Sequence, residues 1–120
     1  MCKLGDIIVV NKYIGEDGKE ISKHSFIVVD DEDGTIAGLD YSMVASVISS
    51  FKSDDERERK LSHTGNIEVP KDVIIGKKLK KPSYAKVDQA YYFNKNKLDY
   101  YVFGSIKQEY LIKLLKIIIN

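Results

Sequence analysis

Gly5-Asp6-Ile7-Ile8-Val9-Val10 decides how the rest of the chain is read. Ile7 to Val10 are four consecutive β-branched residues. Such side chains are stiff at χ1 and suit a pleated surface, and the run is too short for a helix. It predicts a buried strand. Ser25-Phe26-Ile27-Val28-Val29 predicts a second of the same kind. Between them Asn11 to Lys23 is polar, with Gly15 and the Asp17-Gly18 turn pair, as a loop or the tip of a long hairpin would be. Asp30-Asp31-Glu32-Asp33-Gly34 closes the second strand with a turn. Its carboxylates lack the alternating ligands and closing glutamate of a calcium loop, so a solvated turn is expected. Thr35-Ile36-Ala37-Gly38-Leu39 reads as a short third strand.

Tyr41 to Phe51 satisfies two templates at once. Met43, Val44, Ala45, Val47, Ile48 and Phe51 fit a helical stripe, and equally a buried strand ending at Ser49-Ser50. Lys52 to Lys60 is densely charged, a solvated loop or short helix. Asn66-Ile67-Glu68-Val69 alternates and stops at Pro70, as an edge strand does. Gly76 to Pro82 is a basic loop carrying Lys77, Lys78, Lys80 and Lys81. Ser83–Phe93 and Leu98–Val102 read as two strands joined by Asn94-Lys95-Asn96-Lys97. Gly104 then punctuates, Ser105 fits a helix N-cap, and Ile106–Ile119 carries a wide apolar face. Many short strands, one terminal helix and no βαβ rhythm predict a mostly β domain with some α: a small antiparallel β-barrel with a C-terminal helix.

The 120 residues, 43% hydrophobic and 31% charged, suffice for one core, so a single domain over 1–120 is expected. One cysteine, Cys2, allows no internal disulfide, and with two histidines it makes no structural zinc site. No stretch approaches the about 20 apolar residues of a membrane-spanning helix. The first residues lack the apolar core of a signal peptide. A cytoplasmic protein without metal or cofactor is expected. The net charge of +1 hides an asymmetry: residues 1–60 sum to −5 and residues 61–120 to +6. Opposed blocks mark either a surface for phosphates or two solvated faces. Only Arg57 and Arg59 are arginines, so any phosphate contact rests mainly on lysine point charges.

Neither Gly76-Lys77 nor Gly104-Ser105 has the spacing of a phosphate-cradling loop, and no nucleophile elbow is present. The chemistry-bearing residues are His24, His63, Ser49, Ser50, the lysine loop and the aromatic pair of strands around Tyr91 and Tyr101. Two histidines with lysines are the minimal set for metal-independent RNA cleavage, in which one group takes the 2′-hydroxyl proton, another protonates the leaving oxygen, and a cation steadies the phosphorane. Their ordinary reading is as surface or capping histidines. The tyrosines can stack unpaired bases or simply fill a core. The lysines can track a phosphate backbone or be solvated.

Four of these stretches, in this order, resemble the PemK/MazF (Kid-like) toxins of bacterial type II toxin–antitoxin systems. The opening Gly5–Val10 strand is similar to that family's Gly-Asp-Ile start. Lys23-His24-Ser25-Phe26-Ile27-Val28-Val29 sits where the family has Arg-Pro and an aliphatic strand. Val44–Ser50 is similar to its strand ending in Ile-Thr or Ile-Ser. Lys86-Val87-Asp88-Gln89 through Asn94-Lys95-Asn96-Lys97-Leu98 looks like its Gln-containing strand, turn and Lys-Leu. The resemblance implies an SH3-like β-barrel, a homodimer, and endoribonuclease cleavage of single-stranded RNA without a metal. It also implies an antitoxin protein whose tail occupies the RNA groove. The family's catalytic arginine falls on His24, or on Lys23 with a one-residue slip, and its catalytic hydroxyl on Ser49 or Ser50. An imidazole is mostly neutral at pH 7 and carries no permanent fork of charge. Three readings follow. His24 acts as acid or base while Lys23 holds the phosphate; Arg57 or Arg59 swings in from the charged loop; or the barrel binds without cutting. A further alternative is an interaction protein dimerising through Ile117-Ile118-Ile119.

Overall fold

The computed structural model describes residues 2–14, 18–77, 79 and 81–119, the last by its backbone alone. The elements are β1 (Asp6–Ile14), β2 (Glu20–Asp30), β3 (Gly34–Ile36), β4 (Leu39–Tyr41), β5 (Met43–Ser50), α1 (Asp54–Leu61), β6 (Asn66–Val69), a 3-10 turn (Lys71–Val73), β7 (Ile74–Gly76), β8 (Ser83–Phe93), β9 (Tyr100–Ile106) and α2 (Gln108–Ile119). Seven strands form one antiparallel sheet in the order β6-β8-β5-β2-β1-β9-β7, with β3 and β4 as a separate two-stranded ribbon.

The two ends of that sheet are consecutive in the chain. A flat sheet would hold β6 and β7 about 29 Å apart, six spacings of about 4.8 Å. The five residue steps from Val69 to Ile74 reach at most about 18 Å. The sheet therefore curls into a half-barrel, and Val69 and Ile74 meet in one core cluster. Each face of the curled sheet carries its own core. Ile8, Val10, Phe26, Val28, Met43 and Val47 pack on one side, with Tyr13 and Phe93 closing it. Ile7, Ile27, Ile48 and Ile106 pack on the other, beneath Tyr110 and Leu114 of α2. Coverage on both faces is why β1 and β5 read as unbroken apolar runs rather than alternating ones.

That coverage also resolves Tyr41–Phe51. Met43–Ser50 of this segment is a central strand between β2 and β8, buried from Met43 through Ile48, and even Ser46 is only 1% exposed, whereas Tyr41 ends β4. Ser42, Ser46, Ser49 and Ser50 have the spacing of a helix's polar stripe, but pairing on both sides holds the segment as a strand and buries Ser46 within the sheet. The charged run Lys52–Lys60 forms α1, with the Ser53 hydroxyl accepting from the Glu56 amide at 3.1 Å and three acidic residues in the first turn. The Asn11–Lys23 segment is a long hairpin whose tip, 15–17, lies outside the described residues. Thr35–Leu39 is not one strand: Thr35 and Ile36 end β3, Ala37 (φ 51°) and Gly38 (φ 79°) make the turn, and Leu39 opens β4 of the same hairpin. In the acidic turn the carboxylates accept backbone hydrogen bonds, Asp30 from the Glu32 amide at 2.9 Å and Asp31 from the Leu4 amide at 3.1 Å.

The boundaries of the last strand and the last helix differ from the sequence reading: the strand runs Tyr100–Ile106 rather than Leu98–Val102. Ser105 is not an N-cap; β9 continues through Gly104 and Ser105 to Ile106, and α2 begins at Gln108. Ser105 pairs with Asp6 on one side and with Ile75 on the other. Gly104 is required there because a Cβ would lie 2.8 Å from the Ile75 carbonyl oxygen. The glycine marks a close approach of strands, not a stop.

Candidate functional site

The residues singled out in the sequence come from β2, the end of β5 and the loop between β7 and β8. The register sets Ser25 of β2 opposite Ile48 of β5, and the next position along both strands sets Ser49 across from His24. His24 and Ser49 line one open pocket of about 230 Å³ together with Lys23, Ser50 and Lys81. An adjoining cleft of about 480 Å³ shares Lys23 and His24 and adds Lys77, Tyr101, Phe103 and Val9. The two form a continuous groove over the end of the sheet, with Leu79 lining both. Lys78 and Lys80 lie outside the described residues.

Pleating separates two side chains that the sequence reading placed together at the chemistry. Successive residues of a strand point to opposite faces. The His24 ring turns toward the aromatic core, edge-on to Tyr13 at 6.4 Å and Phe26 at 6.2 Å between centroids. The neighbouring Lys23 ammonium lies over the Tyr101 ring, 5.7 Å from its centroid. Lys23 and His24 border the same groove from different sides of the sheet.

The electrostatics at His24 follow from this packing. Burial lowers its pKa from the ordinary value, the Ile48 backbone pulls the other way, and the Lys86 ammonium lowers it further. The Nε2 atom is buried and has no hydrogen-bond partner among the described residues. The ring is thus neutral at pH 7, with one buried nitrogen left without a hydrogen-bond partner among the described residues. Lys86 is a residue that sequence reasoning passed over. Its signal was present: a lone cation in the otherwise uncharged run Ser83–Val87. β8 bends there, since Lys86–Gln89 lie across from the single residue Val47 between the pairs Ile48–Ala85 and Ser46–Ala90. An insertion of this kind interrupts the ladder and re-aims side chains.

Other candidates are engaged elsewhere. Arg57 makes a two-pronged ion pair with Glu68, Nε and Nη2 each 2.9 Å from a carboxylate oxygen, and holds α1 against β6. Arg57 lines a different depression, with Phe51 and Pro82. His63 follows α1; its Nδ1 accepts from the Gly65 amide at 2.9 Å and its Nε2 stands 3.9 Å from Asp88. The two histidines therefore line separate pockets. Tyr91 and Phe93 stack at 6.0 Å inside the aromatic core, whereas Tyr101 is 45% exposed. No helix among the described residues is long and apolar enough to cross a membrane.

No protein-family model matches this sequence, and no curated protein is significantly similar to it.

Proposed function

We propose that this protein is a PemK/MazF-like barrel of the SH3-like type that binds single-stranded RNA and cleaves it without a metal, in the cytoplasm and as a homodimer neutralised by an antitoxin protein. The observation that carries the reading is the open groove in which Lys23, Lys77 and Lys81 surround His24, Ser49 and Ser50. An RNA backbone is held by cations in such a trough, with little need for arginine forks.

In this reading the neutral His24 imidazole takes the proton of a 2′-hydroxyl, whose oxygen then attacks the adjacent phosphorus. The bond from phosphorus to the 5′-oxygen breaks as that oxygen takes a proton from the Lys81 ammonium, leaving a 2′,3′-cyclic phosphate and a 5′-hydroxyl, and the proton held on His24 returns to Lys81 through solvent. The Ser49 hydroxyl delivers a hydrogen bond to the reacting phosphate, and Lys86 and Lys81 offset the added negative charge. Lys23 binds phosphate further along the groove, since its side chain leaves the strand on the face away from the His24 ring.

A second reading, a barrel that binds RNA or protein without cutting, draws on one specific feature. The His24 ring packs among Tyr13 and Phe26 with its Nε2 buried, which suits a core residue as well as a base. Purified protein, a long unstructured RNA and excess chelator distinguish the two, with His24→Ala and Ser49→Ala alongside and their melting curves recorded. Discrete cuts that persist in chelator and disappear in both folded variants support the nuclease. Intact RNA across a wide protein range sinks it and leaves the binding module.

A further inference from the structure

We infer that the larger cleft, floored by Tyr101, Phe103 and Val9, is a nucleobase subsite in which one unpaired base stacks on Tyr101 while Lys23 and Lys77 hold the flanking phosphates. The inference rests on the RNA-binding reading and names what the groove selects. Three observations carry it. The cleft holds about 480 Å³, is walled by aromatic and aliphatic carbons, and has cations at its rim. This combination matches a flat apolar base joined to anionic phosphates, and charge complementarity disfavours a neutral apolar occupant. Tyr101 is 45% exposed, unlike the tyrosines that fill the aromatic core. The Lys23 ammonium sits over that face at 5.7 Å, within cation–π range.

The register explains how the floor is assembled. Val9 pairs with Tyr101, so the two side chains share a face of the sheet. A bulge between the pairs Ile8–Val102 and Ile7–Gly104 leaves Phe103 as an extra residue in β9, turned into the same cleft. Lys23 lies over the ring. A stacking base takes that place and the ammonium moves to a phosphate, so the cation–π contact is exchanged for a charge-assisted one.

The test is anisotropy of a labelled single-stranded RNA hexamer titrated with the full chain, using wild type, Tyr101→Phe, Tyr101→Ser and Lys77→Ala. An abasic hexamer of the same phosphate count is run in parallel. Stacking on one aromatic ring predicts a roughly tenfold loss of hexamer affinity in Tyr101→Ser and near wild-type affinity in Tyr101→Phe. Abasic binding stays unchanged in both. Lys77→Ala weakens both oligomers alike and makes the salt dependence shallower by about 0.7. If wild type binds RNA but Tyr101→Ser binds the hexamer equally well, the subsite is wrong and the RNA reading stands. If wild type binds neither oligomer, the RNA reading has failed and the subsite with it. Tyr101-dependent binding of an acidic peptide in the absence of any RNA affinity assigns the cleft to a protein and likewise overturns the inference.

Discussion

His24 shows how one side chain's surroundings set a measurable property. Its folded pKa lies below the ordinary value, burial being the largest cause. The unfolded chain, with an imidazole pKa near 6.5, therefore binds the proton more readily than the native state. Stability contributed by the neutral ring is present above about pH 6.5 and is lost as pH falls from there toward the lower folded value. Melting temperatures from pH 7.5 to 5 should fall more steeply for wild type than for His24→Gln, and parallel curves would remove the buried imidazole from the account. Tyr110 gives a second test at the same scale. Its hydroxyl donates to the Glu68 carbonyl at 2.5 Å, and burial raises its pKa strongly, with the Glu68 charge adding to it. Tyr110→Phe leaves that carbonyl without this donor and should cost about 1 kcal/mol in denaturant unfolding, with no change in RNA affinity.

The elements were legible in the sequence to different degrees, for identifiable reasons. Ile7–Val10 and Ser25–Val29 declare themselves because β-branched runs of that length have one stable use. Tyr41–Phe51 did not, because its apolar and serine positions fit a helical stripe as well as a strand buried on both faces, and local pattern cannot choose between them. β7 escaped notice for another reason: three residues, Ile74–Gly76, carry too little pattern, and only the pairing with β9 defines them. The same pairing explains Gly104. Gly104→Ala should force the β7 carbonyl away and destabilise the fold by about 1–3 kcal/mol, read as a lower denaturant midpoint. α1 is tied to β6 by Arg57 and Glu68, whose side chains are 43% and 34% exposed. Arg57→Lys keeps the charge but loses the two-pronged geometry, so a loss of no more than about 1 kcal/mol is expected, smaller at high salt. RNA affinity should not change, since Arg57 lies in a different depression from the groove. A fall in affinity would return Arg57 to the site.

Across the whole molecule, the sheet order decides which charges meet. β1, β2 and β5 of the acidic first half are central, while strands of the basic second half flank them at both edges. Lys23 thereby joins Lys77 and Lys81 although they lie more than fifty residues apart in the chain. If these three carry phosphate contacts, the logarithm of RNA affinity should fall with the logarithm of salt at a slope of about −2. A slope near zero would mean that the groove holds something other than a nucleic-acid backbone.

Strand identity along β1 and β2, the edge strand before Pro70 and the amphipathic last helix are set locally, because side-chain branching and periodicity act within a few residues. The divergence of Lys23 from His24 was implicit in the chain as well, since neighbours on a strand face opposite ways. The strand assignment within Tyr41–Phe51, the bend in β8 that brings Lys86 near His24, and the assembly of Tyr101, Phe103 and Val9 into one cleft were decided by long-range pairing. Which strands neighbour one another depends on how the curled sheet buries both of its faces at once. That choice is a property of the whole core, and no local window of sequence contains it.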